Sequence, residues 1–323
     1  MSHTHPDADT LRSALQLAVR APSVHNTQPW QWRVGEQTVH LYADPARRLP
    51  HTDPDGRDLL ISCGAALHHL CAGVRAFGWT TRVHRLPNPA EPDHLAAVEF
   101  RPEPPTPEAI RLAQAIERRR SDRRRYTSWE VTGSHIAELV EVGQSHGVLV
   151  RNVGGDYERA RLLRAFERAA QDHARDFEYG AELHQWSGRH AAAQGVPAHS
   201  AVISTDPTVR RFADPGLPQA VLCDIDGEDS MLLLSTPGDE RISQLRAGEA
   251  TSAIMLTATV MGLASCPLTE PLEITATRAA VRSEVLHDSG FPQMIIRLGW
   301  AAQSADPLPA TPRRPMDQVI RPL

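Results

Sequence analysis

Leu11, Leu15 and Val19 recur at helical spacing and predict a helix over residues 11–21, stopped by Pro22. Alternating apolar and polar positions then predict two short strands, 30–34 and 38–42, joined across Gly35. Turn chemistry at Asp53-Pro54-Asp55-Gly56 leads to a helix over 57–77 that is apolar on most faces, the pattern of a buried helix. Strands at 80–86 and 95–100 follow, and the Pro-rich stretch 101–107 reads as a linker. A second series begins with helices at 107–119 and 135–143, a strand at 148–153 and a charged helix at 158–175. It closes with a strand at 231–235, a second long helix at 241–261 and a strand at 294–300, before a tail rich in Pro and Arg. Between these, residues 176–218 lack clean periodicity and are rich in His, Ser, Gly and Pro around Trp186. Irregular segments of this length inside a compact protein commonly serve as lids or binding loops.

Two stretches align without a gap. Residues 52–78 and 236–262, offset by 184, share Thr52/Thr236, Asp55/Asp239, Arg57/Arg241, Gly64/Gly248, Ala66/Ala250 and Gly78/Gly262. Each copy is a turn, a buried helix and then a strand, which predicts a duplicated α+β unit. The expected division is a first half at residues 1–105 and a second at 106–323. A length of 323 residues, beyond the usual span of one hydrophobic core, fits two halves.

Composition narrows the chemistry. All 34 basic side chains counted as Lys plus Arg are arginines. Without lysine there is no Schiff base, hence no ordinary pyridoxal-phosphate catalysis, and no Walker phosphate loop. The net charge of −5 argues against a general nucleic-acid binder. Cys63, Cys71, Cys223 and Cys266 form no CxxC pair, so neither a structural zinc site nor a disulfide framework is expected. The first ten residues are polar and no apolar run suggests a membrane span, so a cytoplasmic protein without membrane partners is expected.

Two strings carry most of the chemistry. In the loop Ala21-Pro22-Ser23-Val24-His25-Asn26-Thr27-Gln28-Pro29-Trp30, two prolines stiffen a backbone that presents Ser23, Asn26 and Gln28. Such groups either hydrogen-bond a polar cofactor edge or satisfy the local backbone of a helix-to-strand turn. The cluster at 118–125 packs six arginines into eight positions, a natural grip for phosphate, a solvated basic face or a nucleic-acid patch. A second pair, Arg313-Arg314, lies in the tail. His68 and His69 are helix neighbours that should not face one metal, and His184, His190 and His199 lack metal-ligand spacing. No G-x-S-x-G string stands at a strand-to-helix turn, since Gly143–Gly147 runs from a helix into a strand, and no G-x-G-x-x-G follows a strand, so enzyme chemistry would be borrowed from a cofactor.

Taken together, these strings resemble the FMN-dependent nitroreductase family. The resemblance rests on the APSxxNxQPW loop at 21–30 and on Arg119-Arg120-Ser121-Asp122-Arg123 as an RRSxR phosphate motif. It extends to the Gly262-Leu263 turn leading to Pro267, and to the final strand followed by Arg313-Arg314-Pro315-Met316. The PSVHNTQPW string, the DPDGR turn and RRSDRR resemble the Acg-type NAD(P)H nitroreductase branch of actinobacteria in particular. In ordinary members the arginine motif precedes the loop, and FMN lies across a homodimer interface. Here the first half has the loop without the motif, and the second half has the motif without the loop. The resemblance therefore implies a fused pseudo-dimer that kept one flavin site and has no need of a partner subunit, with monomer and homodimer both open.

The implied fold is α+β, nitroreductase-like and internally duplicated, with mixed, mainly antiparallel sheets and flanking helices around long central helices. The resemblance implies that Pro22, Ser23, Val24, His25 and Asn26 approach the flavin ring or ribityl chain. Arg119, Ser121, Arg123 and Arg313 would take the phosphate and ribityl oxygens, and Pro267, Leu268 and Thr269 would back the ring. The implied activity is hydride transfer from NADPH or NADH through FMN to a small nitroaromatic or quinone-like acceptor, in a ping-pong cycle. Two departures stand out: Thr311 replaces the usual lysine of the tail motif, and the insertion at about 176–218 exceeds family loops. A lid of that size suggests the alternative of a flavin-storing protein whose lid blocks turnover.

Overall fold

The computed structural model describes residues 5–188, 192–219 and 229–323. Cys223 and His190 lie outside them. The chain opens with α1 (Ala8–Ala18), whose N-terminus is capped by the Asp7 carboxylate accepting the Thr10 N–H. The hairpin β1 (Trp30–Val34) and β2 (Thr38–Ala43) leads to α2 (Arg57–Ala76), then β3 (Trp79–Arg85) and β4 (His94–Pro102). Next come α3 (Pro107–Arg118), α4 (Gly133–Ser145) and β5 (Leu149–Asn152), followed by α5 (Asp156–His173) and α6 (Phe177–Gln185). After β6 (Ser230–Thr236), α7 (Arg241–Val260) and β7 (Ala264–Leu268) come α8 (Glu270–Glu273), α9 (Thr275–Glu284) and β8 (Phe291–Gly299). The chain closes with α10 (Met316–Val319) and β9 (Ile320–Pro322).

The strands form two sheets, ordered β3-β4-β2-β1-β9 and β5-β6-β8-β7. Every pair is antiparallel except β1 with β9. The orders β3-β4-β2-β1 and β7-β8-β6-β5 correspond strand for strand when four is added to each number. Helices α2 and α7 occupy matching places, after the second strand of each set, and cross at the centre of the molecule.

Their crossing is made by small residues. A Cβ built on Gly64 would lie 2.1 Å from the Leu245 carbonyl oxygen, and one on Gly248 would lie 2.0 Å from that of Ile61. Ile61 and Leu245, like the two glycines, are related by the offset of 184. The contact is thus reciprocal: the same two helical positions meet from opposite sides. His68 and Ser252, another offset pair, hydrogen-bond at 2.7 Å, and the neighbouring His69 reaches the same hydroxyl at 2.8 Å. The two adjacent histidines therefore do converge on one atom, because the hydroxyl lies between their rings, and their role is in the core.

Several local expectations are corrected. Helix α2 is long and apolar enough by composition to cross a membrane, contrary to the expectation from sequence, but most of that window is packed inside the protein. Residues 176–218 are not wholly irregular: α6 is a formed helix started by an Asp176 cap. The Pro/Arg-rich tail also carries structure, since β9 adds to the edge of the first sheet beside Trp32–Val34. That pairing brings the chain's last residues back to its first strand and carries Arg313 across with them.

Candidate functional site

A cleft with about 1150 Å³ of free space, counting its mouth, lies among the loop after α1, helix α2 and strands β7 and β8. Its lining includes Pro22, Ser23, Val24, His25 and Asn26, Arg119, Ser121 and Arg123, Pro267, Leu268 and Thr269, and Arg313. All twelve residues singled out in the sequence line this one cleft although they span nearly the whole chain. Helix α2 contributes Asp58, Ile61, Ser62 and Ala65 from one face, and the segment 196–212 closes over the opposite side.

The loop after α1 is held in unusual backbone geometry. His25, Asn26 and Gln28 have φ of 45°, 54° and 53°, a left-handed conformation rarely adopted by residues with side chains. Its polar groups supply the restraint. The Ser23 hydroxyl accepts the Gln28 N–H at 3.0 Å, and the Ser62 hydroxyl accepts the Val24 N–H at 3.1 Å. The Asn26 amide donates to the Gly195 and Pro312 carbonyls, and that of Gln28 donates to Ala193. Ser23, Asn26 and Gln28 thus fasten the loop to itself, to residues 193–195 and to the tail while Ser23 and Asn26 also line the cleft. His25 differs. It is buried, neither ring nitrogen has a partner, and its ring meets Phe212 edge-on at 5.6 Å. Burial, then Arg210 and Arg123, hold its pKa well below the ordinary histidine value, so the ring is neutral.

The arginine cluster divides by role. Arg124 forms a bidentate pair with Asp122 (3.0 and 2.7 Å), and among the described residues it is the one member of 118–125 paired to a carboxylate. The segment is fixed against β7 by the Asp122 N–H to the Ser265 carbonyl, 2.9 Å, which turns Arg119, Ser121 and Arg123 into the cleft. Arg123 donates to the Ser200 carbonyl and lies over the Phe212 ring. Arg119 is 5% exposed, and its Nε and Nη1 have no partner. Burial first, then Arg120 and Arg20, push its pKa down to about 10.

Arg313 is satisfied in a way the sequence did not reveal. Its five N–H groups all meet carbonyls: Val19, Arg20 and Ala21 just beyond α1, and Thr311 and Pro312 of its own tail segment. It thus staples the tail to the end of α1, where a cation also complements the helix dipole. Burial and then Arg119, Arg20 and Arg120 lower its pKa to about 9. The cleft therefore has one strongly cationic end, with like charges held close together by the fold.

Comparison with known proteins follows from this geometry. The chain is 49% identical to the "Putative NAD(P)H nitroreductase Rv3131" of Mycobacterium tuberculosis, over 98% of this chain and 93% of that protein. It is 38% identical to the "Putative NAD(P)H nitroreductase acg" of the same species, over 99% of this chain and 98% of that one. The chain belongs to the NAD(P)H nitroreductase family, in its Acg branch. No family model matches it. Solved structures with a similar fold include the FMN-dependent nitroreductase NfnB of Mycobacterium smegmatis in complex with NADPH (20% identical, 65% of this chain and 98% of that one, TM-score 0.41). Another is a nitroreductase with bound FMN from Bacteroides fragilis (16% identical, 60% of this chain and 90% of that one, TM-score 0.39). The two mainly antiparallel sheets with flanking helices are the α+β arrangement expected from the sequence.

The site also contains residues that the sequence reading passed over. Arg297 is fully buried in β8, lies over the Tyr126 ring and donates to the Arg124 carbonyl at 3.0 Å; a lone arginine in the apolar string Met294–Trp300 was a readable signal. Arg210 pairs with Glu273 and donates to Tyr179 Oη at 2.7 Å, so it anchors the closing segment. It also separates the cleft from a second cavity, lined by His173, Phe177 and Tyr179. Phe212 and Asp58 complete the set, and neither carries any motif.

Proposed function

We propose that this nitroreductase binds one FMN in the cleft and passes reducing equivalents from NADPH or NADH to a small nitroaromatic or quinone-like acceptor. The observation that carries this reading is Arg119, buried with two nitrogens unpartnered beside Arg20, Arg120 and Arg313. Burying guanidinium groups together is unfavourable unless an anion joins them, and a phosphate monoester supplies close to two negative charges. The residues thus fit the phosphate of a flavin nucleotide, with Arg119 offering free N–H groups and Arg313 contributing charge. FMN, when bound, accepts hydride and releases electrons to an acceptor. The chain's own part is to clamp the phosphate, hold the ring between the 22–26 loop and Pro267–Thr269, and exclude water beneath Phe212.

The two halves, 1–105 and 106–323, are read as a fused pseudo-dimer. The matching strand orders and the reciprocal Gly64–Gly248 crossing support that reading. One chain then supplies both sides of a single site, and the insertion at about 176–218 acts as a lid held to the first half. A compartment with reducing thiols, the cytoplasm, suits the unpaired Cys63, Cys71 and Cys266.

Purified protein is expected to be yellow and to release FMN on denaturation. Colourless protein that takes up no FMN would refute the cofactor assignment. Anaerobic NADPH or NADH should bleach the flavin band. Persistent colour with both donors would refute turnover and favour the storage reading, in which the lid seals the cleft.

A further inference from the structure

Asp58 is the second residue of α2, 3% exposed, and lines the cleft. Among the described residues, neither carboxyl oxygen has a hydrogen-bond partner. That is unusual for a buried acid, because an unsatisfied carboxylate loses its hydration without replacement. The carboxyls around it are provided for. Asp53 accepts the Leu59 N–H at 2.8 Å, and Glu273 accepts from Arg210 and from the Thr269 hydroxyl.

The charged groups that bear on Asp58 come from four directions. Asp53 lies on the preceding turn, Glu273 on α8, Arg57 on its own helix and Arg210 on the closing segment. Both arginines are committed elsewhere: Arg57 to Pro292, Gln293 and Asp239, and Arg210 to Glu273. Burial, followed by Asp53 and Glu273, raises the Asp58 pKa to about 8.

Position along α2 gives the group its meaning. Ala65 lines the same cleft seven residues on, about 10 Å away along the helix axis. One more turn brings His69, which feels Arg119 and Arg313 at the cationic end. The acid therefore stands toward the other end of α2 from the residue that feels the cationic end. A planar heteroaromatic ring placed there would present carbonyl oxygens and imine nitrogens, which are acceptors. An acceptor edge needs a donor, and a carboxylate cannot be one.

We propose that Asp58 keeps its proton and donates its O–H to the acceptor edge of the bound flavin ring, serving as a ring-contacting, charge-sensing residue of the site. This rests on the flavin reading above. Ionisation of Asp58 would place a negative charge against an electron-rich edge, so FMN binding should weaken as the pH rises.

The test measures FMN affinity of the FMN-free full chain by flavin fluorescence from pH 6 to 9.5, for wild type and Asp58→Asn. The amide keeps a donor and cannot ionise. The ratio of wild-type to variant Kd removes the titration of FMN itself. The proposal expects this ratio to rise with pH above about 7.5, by up to about tenfold per pH unit. Parallel profiles with FMN bound by both proteins would overturn the role of Asp58 and leave the flavin site standing. Failure of wild type to bind FMN at any pH would overturn the flavin reading and this proposal with it. Should Asp58→Asn not fold, the infrared difference spectrum of wild type on adding FMN at pH 7 decides. A protonated-carboxyl band that shifts on binding supports the proposal, and its absence overturns it.

Discussion

Arg119 and Arg313 occupy the same end of the cleft, yet the structure separates their roles, and replacing each with methionine should expose the difference. Arg119 makes one long contact, 3.5 Å to the Arg20 carbonyl, and among the described residues its Nε and Nη1 are unpartnered. Burial pushes its pKa down to about 10. A base with a lowered folded pKa destabilises the fold at every pH below that value, hence in full at pH 7. At about 1.4 kcal/mol per unit the relief on removing the charge is on the order of 3 kcal/mol, partly offset by lost packing. Arg119→Met should therefore leave the FMN-free protein at least as stable as wild type. The same change removes a charge-assisted phosphate contact worth about 1.5–3 kcal/mol, so FMN should bind roughly ten- to 150-fold more weakly. Arg313→Met instead breaks five N–H contacts, three to carbonyls at the end of α1 and two within the tail. Some of those carbonyls can rehydrate, so a loss of about 3 kcal/mol in stability is expected, accompanied by loss of FMN. Urea unfolding of FMN-free protein and a fluorescence titration with FMN measure both quantities. Equal destabilisation by the two variants, or wild-type FMN affinity in Arg119→Met, would refute this division of labour.

Three further outcomes are expected. Gly64→Ala or Gly248→Ala drives a Cβ to within about 2 Å of a helix carbonyl across the α2–α7 crossing, so each should destabilise by about 3 kcal/mol or more in urea unfolding. Arg210→Ala leaves Glu273 buried without its cation, so amide exchange across 196–212 should quicken while the α2 and α7 amides stay protected. For Asp58 the sign is that of an acid with a raised folded pKa, from 3.8 to about 8. The folded state keeps a proton that the unfolded chain releases, so this group's contribution to stability falls as pH rises from about 4 to about 8 and is flat above. Asp58→Asn should gain on wild type by up to about 1.4 kcal/mol per pH unit across that window, measured by urea unfolding at each pH.

Hydrophobic period alone located α2, α7 and most strands, because both long helices are apolar on nearly every face and such a pattern tolerates little else. It missed α6 and β9, whose places depend on partners far away in the chain: α6 packs beneath the closing segment, and β9 exists only because β1 offers a free edge. The loop and the arginine motif are rigid strings of local chemistry, and with the family resemblance they led to twelve candidate residues that line one cleft. Asp58, Phe212 and Arg210 were not legible, since nothing in their neighbours along the chain distinguishes them.

The order of apolar and polar residues, the missing lysines and the two polar strings determined the fold class, the branch of the family and the need for a borrowed cofactor. Which nitrogens are left free was decided by packing alone. The loop amides fasten residues 193–195, Arg313 is consumed by the end of α1 and its own tail, and among the described residues two nitrogens of Arg119 and both carboxyl oxygens of Asp58 find no partner. Hydrogen-bond satisfaction is a property of groups brought together from distant parts of the chain, so only the folded molecule could settle it.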